Sequence, residues 1–221
     1  MTAFKPFVCL FMGLVLATPI AAYSQAQDTS PLNDALRQME SAGRTFKTFQ
    51  ARFSQTTYAA VLNEFDTPES GEFYYALASD GSALLREEFQ KPGVKTLTIK
   101  GGTLTLYQPS VNQAQIVNLG KNRNKAEYLA LGIGQSPAKL QETFDIQYKG
   151  TDTVNGTACW VLLLKPKSST VSAMFSSITL WVKKSSGVPI QDKLQNPTGG
   201  DYTLITFSNE QLNKPIPASK F

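Results

Sequence analysis

A reactive centre needs nucleophiles, proton carriers or metal ligands, and this chain is poor in all of them. Its 221 residues contain no histidine, which removes Ser-His-Asp and Cys-His nucleophile systems and every histidine-based metal site. Of its two cysteines, Cys9 lies near the N-terminus and Cys159 stands beside Trp160 in an apolar run. A single thiol in the body of the chain can neither close an internal disulfide nor hold a zinc ion, so Cys159 reads as a core residue. Gly101-Gly102 and Gly199-Gly200 are isolated pairs at turn positions, unlike a phosphate-cradling loop. Carboxylates remain. Asp66, Glu69, Glu72, Glu87 and Glu88 fall mostly at turns, with no pair spaced for acid/base work. The expectation is no catalytic residue, no metal and no cofactor.

The charge pattern excludes a second class. The formal net charge is +4, and the densest basic stretches, Lys183-Lys184 and Lys121 to Lys125, are short enough to be solvated turns. Nothing resembles a nucleic-acid footprint. Lys5 is the only charge before Asp28, Phe7 to Ala17 is an apolar run, and Pro19 and small residues follow up to Ala26. A positive start, a short apolar segment and a small-residue zone make a secretory signal peptide. The apolar run is too short to span a bilayer, which takes about 20 residues. Residues 1–26 are therefore expected to be cleaved, after Ala22 or Ala26. Cleavage at Ala26 removes one lysine and no acid, leaving a formal charge of +3. Residues 27–221 are expected to form one exported, soluble, monomeric domain.

The elements that must position any site begin with a helix. Ser30 can cap it, Pro31 suits its first position, and Leu32, Ala35, Leu36 and Met39 form one stripe before Phe46. Thr48 to Leu62 then alternates as a strand, with Phe49, Ala51 and Phe53 on one face and Gln50, Arg52 and Ser54 on the other. Glu64 to Ser70 reads as a loop. Short strands follow over Gly71 to Ala76, Ala83 to Phe89, Val94 to Ile99 and Thr103 to Tyr107, separated by turn chemistry. Lys125 to Gly134 and Ser136 to Glu142 read as short helices. Strands resume over Thr143 to Lys149, Thr157 to Lys165, Ser176 to Lys183, Pro189 to Gln195 and Tyr202 to Ser208. The tail Lys214-Pro215-Ile216-Pro217 must be extended. About ten or eleven antiparallel strands curl into a barrel or half-barrel. Two or three short helices would cap its concave side over an apolar cavity.

In order along the chain, Phe49-x-Ala51-x-Phe53-x-Gln55, Gly71-Glu72-Phe73, Gln90-Lys91-Pro92 and Gly101-Gly102-Thr103-Leu104 are followed by Tyr107-x-Pro109 and Asn112-Gln113-Ala114. Leu163-Leu164-Lys165-Pro166-Lys167 and the final strand with Phe207 and Asn209 complete the set. This ordered set resembles the outer-membrane lipoprotein carrier family, LolA, over essentially the whole chain after the signal segment. The resemblance implies a mainly β fold, an open, incomplete antiparallel barrel of about eleven strands with a lid of short α-helices over an apolar cavity. It implies a periplasmic carrier that takes acylated lipoproteins from an inner-membrane donor transporter to an outer-membrane acceptor. A lipid-binding sensor or regulatory protein on the same fold is the alternative. One feature departs from the family. Many members carry an Arg-Pro pair after the second strand, whose arginine latches the lid, whereas this chain reads Ala76-Leu77-Ala78.

Strand parity nominates the residues that would line the lipid cavity. They are Phe49, Ala51 and Phe53 on the first strand, Phe73 and Tyr75 on the second, and Leu85 and Phe89 on the third. The next pair offers Leu97, Ile99, Leu104 and Leu106. In the second half Trp160, Leu162 and Leu164 alternate with Cys159, Val161 and Leu163. Both faces there are apolar, so parity alone does not decide. Ile178 and Leu180 are set against Thr179 and Trp181. Glu87 breaks the pattern by sharing a face with Leu85 and Phe89. An unpaired buried carboxylate is costly, so Glu87 is expected at the cavity mouth, beside a cation, or protonated. Arg52 and Arg86 fall on the opposite, solvent-facing parity.

Overall fold

The computed structural model describes Met1 and residues 30–120, 128 and 130–221. The expected signal segment and residues 125–127 and 129 of the expected Lys125 to Gly134 helix lie outside the described residues, and Ala130 to Gly134 form turns where helix was expected. Helix α1, Pro31–Arg44, forms as its sequence dictates: the Ser30 side chain accepts from the Asn33 N–H, proline sits in the first turn, and Ala35 and Met39 are buried. Twelve strands follow. They are β1 (Thr48–Ala59), β2 (Glu64–Phe65), β3 (Glu69–Leu77), β4 (Ala83–Lys91), β5 (Lys95–Lys100), β6 (Thr103–Gln108), β7 (Gln113–Asn118), β8 (Phe144–Val154), β9 (Thr157–Pro166), β10 (Ser177–Lys183), β11 (Pro189–Gln195) and β12 (Tyr202–Leu212). Helix α2, Pro137–Thr143, precedes β8, and the one-turn α3, Ser169–Ser172, joins β9 to β10.

All the strands pair antiparallel in one sheet, in the order β7-β6-β5-β4-β3-β1-β12-β11-β10-β9-β8, with β2 paired only to β1. The last strand, β12, thus flanks β1 on one side and β3 flanks it on the other, so the two halves of the chain join at β1–β12. Strands β7 and β8 stay unpaired to each other, so the sheet is curled but not closed. The β8–β9 turn carries Asn155 and Gly156, both at positive φ (48° and 77°). Two successive left-handed residues make the tight hairpin that Asn-Gly favours.

Several details differ from the sequence reading: β1 ends at Ala59, with a turn where the strand was expected to run on to Leu62, and the one-turn helix Ser169–Ser172 was not foreseen. Glu64 and Phe65 are not loop but pair with Ala59 and Tyr58, extending the β1 hairpin. Strand β7, not foreseen as a strand, is exposed along its whole length, so no buried face marked it in the sequence. Arg86 does lie on the convex face, yet it is only half-exposed and bonds Glu88 at 2.7 Å. The C-terminal tail crosses here, with the Lys220 ammonium 2.9 Å from the Glu88 carboxylate and over the Tyr74 ring. Among the described residues, no helix is long and apolar enough to cross a membrane.

Candidate functional site

The concave face is built by the period-2 alternation of every long strand. Phe49, Ala51 and Phe53 of β1, Phe73 and Tyr75 of β3, and Leu85 and Phe89 of β4 are buried there. Their rings interlock: Phe49 meets Phe73 and Phe207 edge-on with centroids 5.9 and 5.5 Å apart, and Phe53 meets Phe89 at 5.0 Å. Ile99 is buried, while Leu97, Leu104 and Leu106 are half-exposed toward the β7 edge. In the second half the register settles what parity left open. Leu162 pairs with Leu180 and Leu164 with Ile178, all fully buried on the concave side, with Trp160 half-exposed on the same face. Cys159 points the other way into a small separate cluster with Val154, Ile190 and Trp181. All sixteen nominated apolar residues therefore share the concave face.

A layer of short elements covers that face. Met39 of α1, Ala130, Leu131, Ile133, Leu140 of α2 and Phe144 are all buried in the same apolar cluster as the strand residues. Close approach depends on two glycines at positive φ. A Cβ on Gly132 would come within 2.9 Å of Pro189 and 3.1 Å of Leu180, and one on Gly134 would overlap the Phe46 ring. Phe46 in turn packs on Tyr75, 5.5 Å between centroids. Polar ties of α1 to the sheet end are sparse: Gln38 donates to the Lys184 carbonyl at 3.3 Å, and Asn213 holds the α1–β1 junction through Thr45 and Lys47. At the position of the family's arginine latch, β3 ends at Leu77 and Ala78 opens a hairpin closed by its N–H to the Ser82 carbonyl. Among the described residues, the cover meets the sheet mainly through apolar packing.

Polar groups on the concave face gather at the end away from α1. Glu69 accepts from Gln55 at 2.9 Å and from the Lys95 ammonium at 2.5 Å, and Lys95 lies over the Phe89 ring at 4.3 Å. Glu87 is buried beside this group, between its strand partners Phe73 and Leu97. Burial pushes its carboxyl up from 4.5 to about 7, against the pull of Lys95 and with a smaller push from Glu69. The remaining acids noted in the sequence have partners elsewhere. Glu72 pairs with Arg52, and Asp66 receives the Thr57 N–H. Burial raises the Glu88 carboxyl, but hydrogen bonds from Lys220 and Arg86 outweigh it and hold it below its usual range.

The strand alternation hid one residue. Asp192 of β11 lies on the concave face between its partners Leu180 and Ile205, 2% exposed, and its Oδ1 has no hydrogen-bond partner. Burial alone pushes its carboxyl well above the ordinary carboxylate range. The clefts along the outer face are polar by contrast. One of about 340 Å³ is lined by Gln50, Arg52, Glu72, Tyr74 and Gln211. Among the described residues, no three His, Cys, Asp or Glu side chains gather as a metal site.

This geometry agrees with what the chain resembles. The family profile described as "Outer membrane lipoprotein carrier protein LolA" matches residues 44–221. Two proteins of Pseudomonas fluorescens, from strains Pf-5 and Pf0-1, are both called "Outer-membrane lipoprotein carrier protein". Each is 24% identical, over 212 and 219 residues, covering 96% of this chain and 91% of the relative. Among solved structures, MucB superposes with a TM-score of 0.51 at 16% identity, over 85% of this chain and 60% of MucB, so this chain spans about three-fifths of that protein. LprF from Mycobacterium bovis gives 0.51 at 12% identity, over 85% of this chain and 97% of LprF. At such identities the solved structures establish the shared fold. The profile match covers most of the sequence, and the chain belongs to the LolA family of outer membrane lipoprotein carrier proteins.

Proposed function

We propose that the protein is a periplasmic, non-catalytic carrier that shields the acyl chains of lipoproteins, or of a related lipid, inside its concave face. It would receive them from an inner-membrane donor and release them to an outer-membrane acceptor, acting as a monomer after loss of residues 1–26. The observation that carries this reading is the roofed concave face itself. It presents a continuous aromatic and aliphatic lining from an unclosed sheet, covered by short elements joined to it mainly through apolar contact.

The energetics explain why such a surface is needed. Each acyl CH₂ moved from lipid into water costs about 0.8 kcal/mol. A chain of about sixteen carbons therefore costs on the order of 12 kcal/mol, and a triacylated lipoprotein tens, so unaided crossing does not occur. A concave apolar lining offsets that cost without directional bonding. The buried cover competes for the same surface, which limits net affinity to the difference between lid-bound and lipid-bound states and so permits release. The nominated residues from Phe49 to Leu180 form that lining, with Glu87 and Lys95 at its polar end.

Mass spectrometry of lipids that co-purify with the protein from the periplasm tests the reading. Acylated species should be recovered at near-stoichiometric amounts from protein carrying its own export signal. Recovery of none, with no uptake from membranes containing lipoproteins, would overturn it.

A further inference from the structure

Asp192 has no role in a purely apolar lining, and its position is specific. In the register of the sheet it belongs to one cross-strand row on the concave face: Tyr148, Leu162, Leu180, Asp192, Ile205, Gln55 and Glu69. Glu69 extends the row to Lys95. The polar end of the concave face and Asp192 thus share one level, with Ile205 between them. On the α1 side of that level, β1 continues through Phe53 and Ala51 to Phe49, six residues from Gln55. At about 3.3 Å per residue this apolar run is roughly 20 Å long. One leaflet's share of the roughly 30 Å hydrocarbon core of a bilayer is shorter. An acyl chain laid along the run would place its terminal methyl among the rings of Phe49, Phe73 and Phe207, and its linkage at the level of Asp192.

A carboxyl with an unpartnered oxygen in an apolar interior is unfavourable unless something fills its hydrogen bond. A neutral carboxylic acid offers an O–H donor and a carbonyl acceptor. The group of an acylated ligand that sits at the boundary between polar head and chain is the ester or amide carbonyl, an acceptor. Resting on the carrier reading, we propose that Asp192 is a ligand-binding residue that donates a hydrogen bond to the carbonyl of the acyl linkage, setting the depth at which the chain is seated. The covering segment at Gly132 lies against Leu180, the strand partner of Asp192. Displacement of that segment by a chain would expose Asp192 to the linkage.

Two soluble probes that differ only at that carbonyl test this: palmitoyl-lysophosphatidylcholine and its 1-O-hexadecyl ether analogue, titrated calorimetrically below their micelle concentrations. The wild-type protein is expected to prefer the ester by about fivefold, the equivalent of about 1 kcal/mol. Asp192→Asn keeps a donor and should keep the preference. Asp192→Leu should bind the two probes equally, with the ether bound no more weakly than by wild type. Equal binding of both probes by wild type, or a preference that survives in Asp192→Leu, overturns the role of Asp192 and leaves the carrier reading standing. Binding of neither probe by any of the three proteins overturns both.

Discussion

Glu87 and Asp192 face the same apolar interior, yet only one of them was legible beforehand. Glu87 interrupts Leu85 and Phe89 on a strand whose other face is plainly polar, so its parity marks it as an inward acid. Asp192 sits in Pro189-Ile190-Gln191-Asp192-Lys193-Leu194-Gln195, where polar residues occupy both parities and a register shift opposite Val182 displaces the start. The alternation gives no reason to send Asp192 inward, and only the strand partners Leu180 and Ile205 do so. Buried acids also leave a thermodynamic signature. The folded chain holds the Glu87 proton up to a pH of about 7, while the unfolded chain releases it near 4.5. Between those values the native state binds more protons, so stability falls as pH rises. The full contribution is on the order of 3 kcal/mol. Replacing Glu87 with Gln should flatten that slope in chemical unfolding midpoints measured at pH 4.5 and pH 8, leaving the variant more stable than wild type at pH 8. An unchanged slope would mean that Glu87 is hydrated or firmly paired with Lys95.

At the level of elements, sheet and cover are held by different means and should fail separately. Gly71 sits at the β3–β4 irregularity, and a Cβ there would overlap the Glu88 carbonyl. The obstacle is backbone of the neighbouring strand, which can move only by opening the ladder. Gly71→Ala is expected to lower global stability by about 3 kcal/mol in urea unfolding. Gly134 presses instead on the Phe46 side chain and has φ +67°. Gly134→Ala should cost about 1 to 3 kcal/mol locally. Hydrogen exchange should accelerate over residues 130–143 and Phe46 while β1, β3 and β12 keep their protection. Equal acceleration throughout would show cover and sheet to be one cooperative unit. The sequence made the strong elements readable because their alternation or 3.6-residue stripe reports burial: α1, β1, β3, β4 and β10 all carry such a face, whereas β9 is apolar on both sides and only its register with β10 sorts them. Strand β7 reads Gln-Ala-Gln-Ile-Val-Asn with every residue exposed, and the two-residue β2 is too short for any pattern. Pairing geometry alone creates both. Helices α1 and α2 of the cover were legible, but Ala130 to Gly134 turn where a helix was expected, and the close approach of Gly134 to Phe46 depends on contacts between residues far apart in sequence.

For the whole molecule, twelve strands that curl without closing leave an interior too wide for one sheet to fill with its own side chains, and the fold completes its core with α1, α2 and the segment between Ala130 and Gln135. That arrangement could be foreseen from strand count and the ordered resemblance to the LolA family. The depth of packing under the cover could not, because it depends on how closely the covering elements approach. The concave lining is thus occupied by the protein's own side chains where the cover is seated, and the proposed cargo must replace them. The most direct measurement of that claim is photo-crosslinking in the periplasm, with a benzophenone side chain at half-buried Leu97 on the concave face or at exposed Arg52 on the outer face. Acylated lipoprotein should be captured from position 97 and not from position 52. Capture from position 52 alone, or from neither position, would contradict a carrier that holds its cargo inside the sheet.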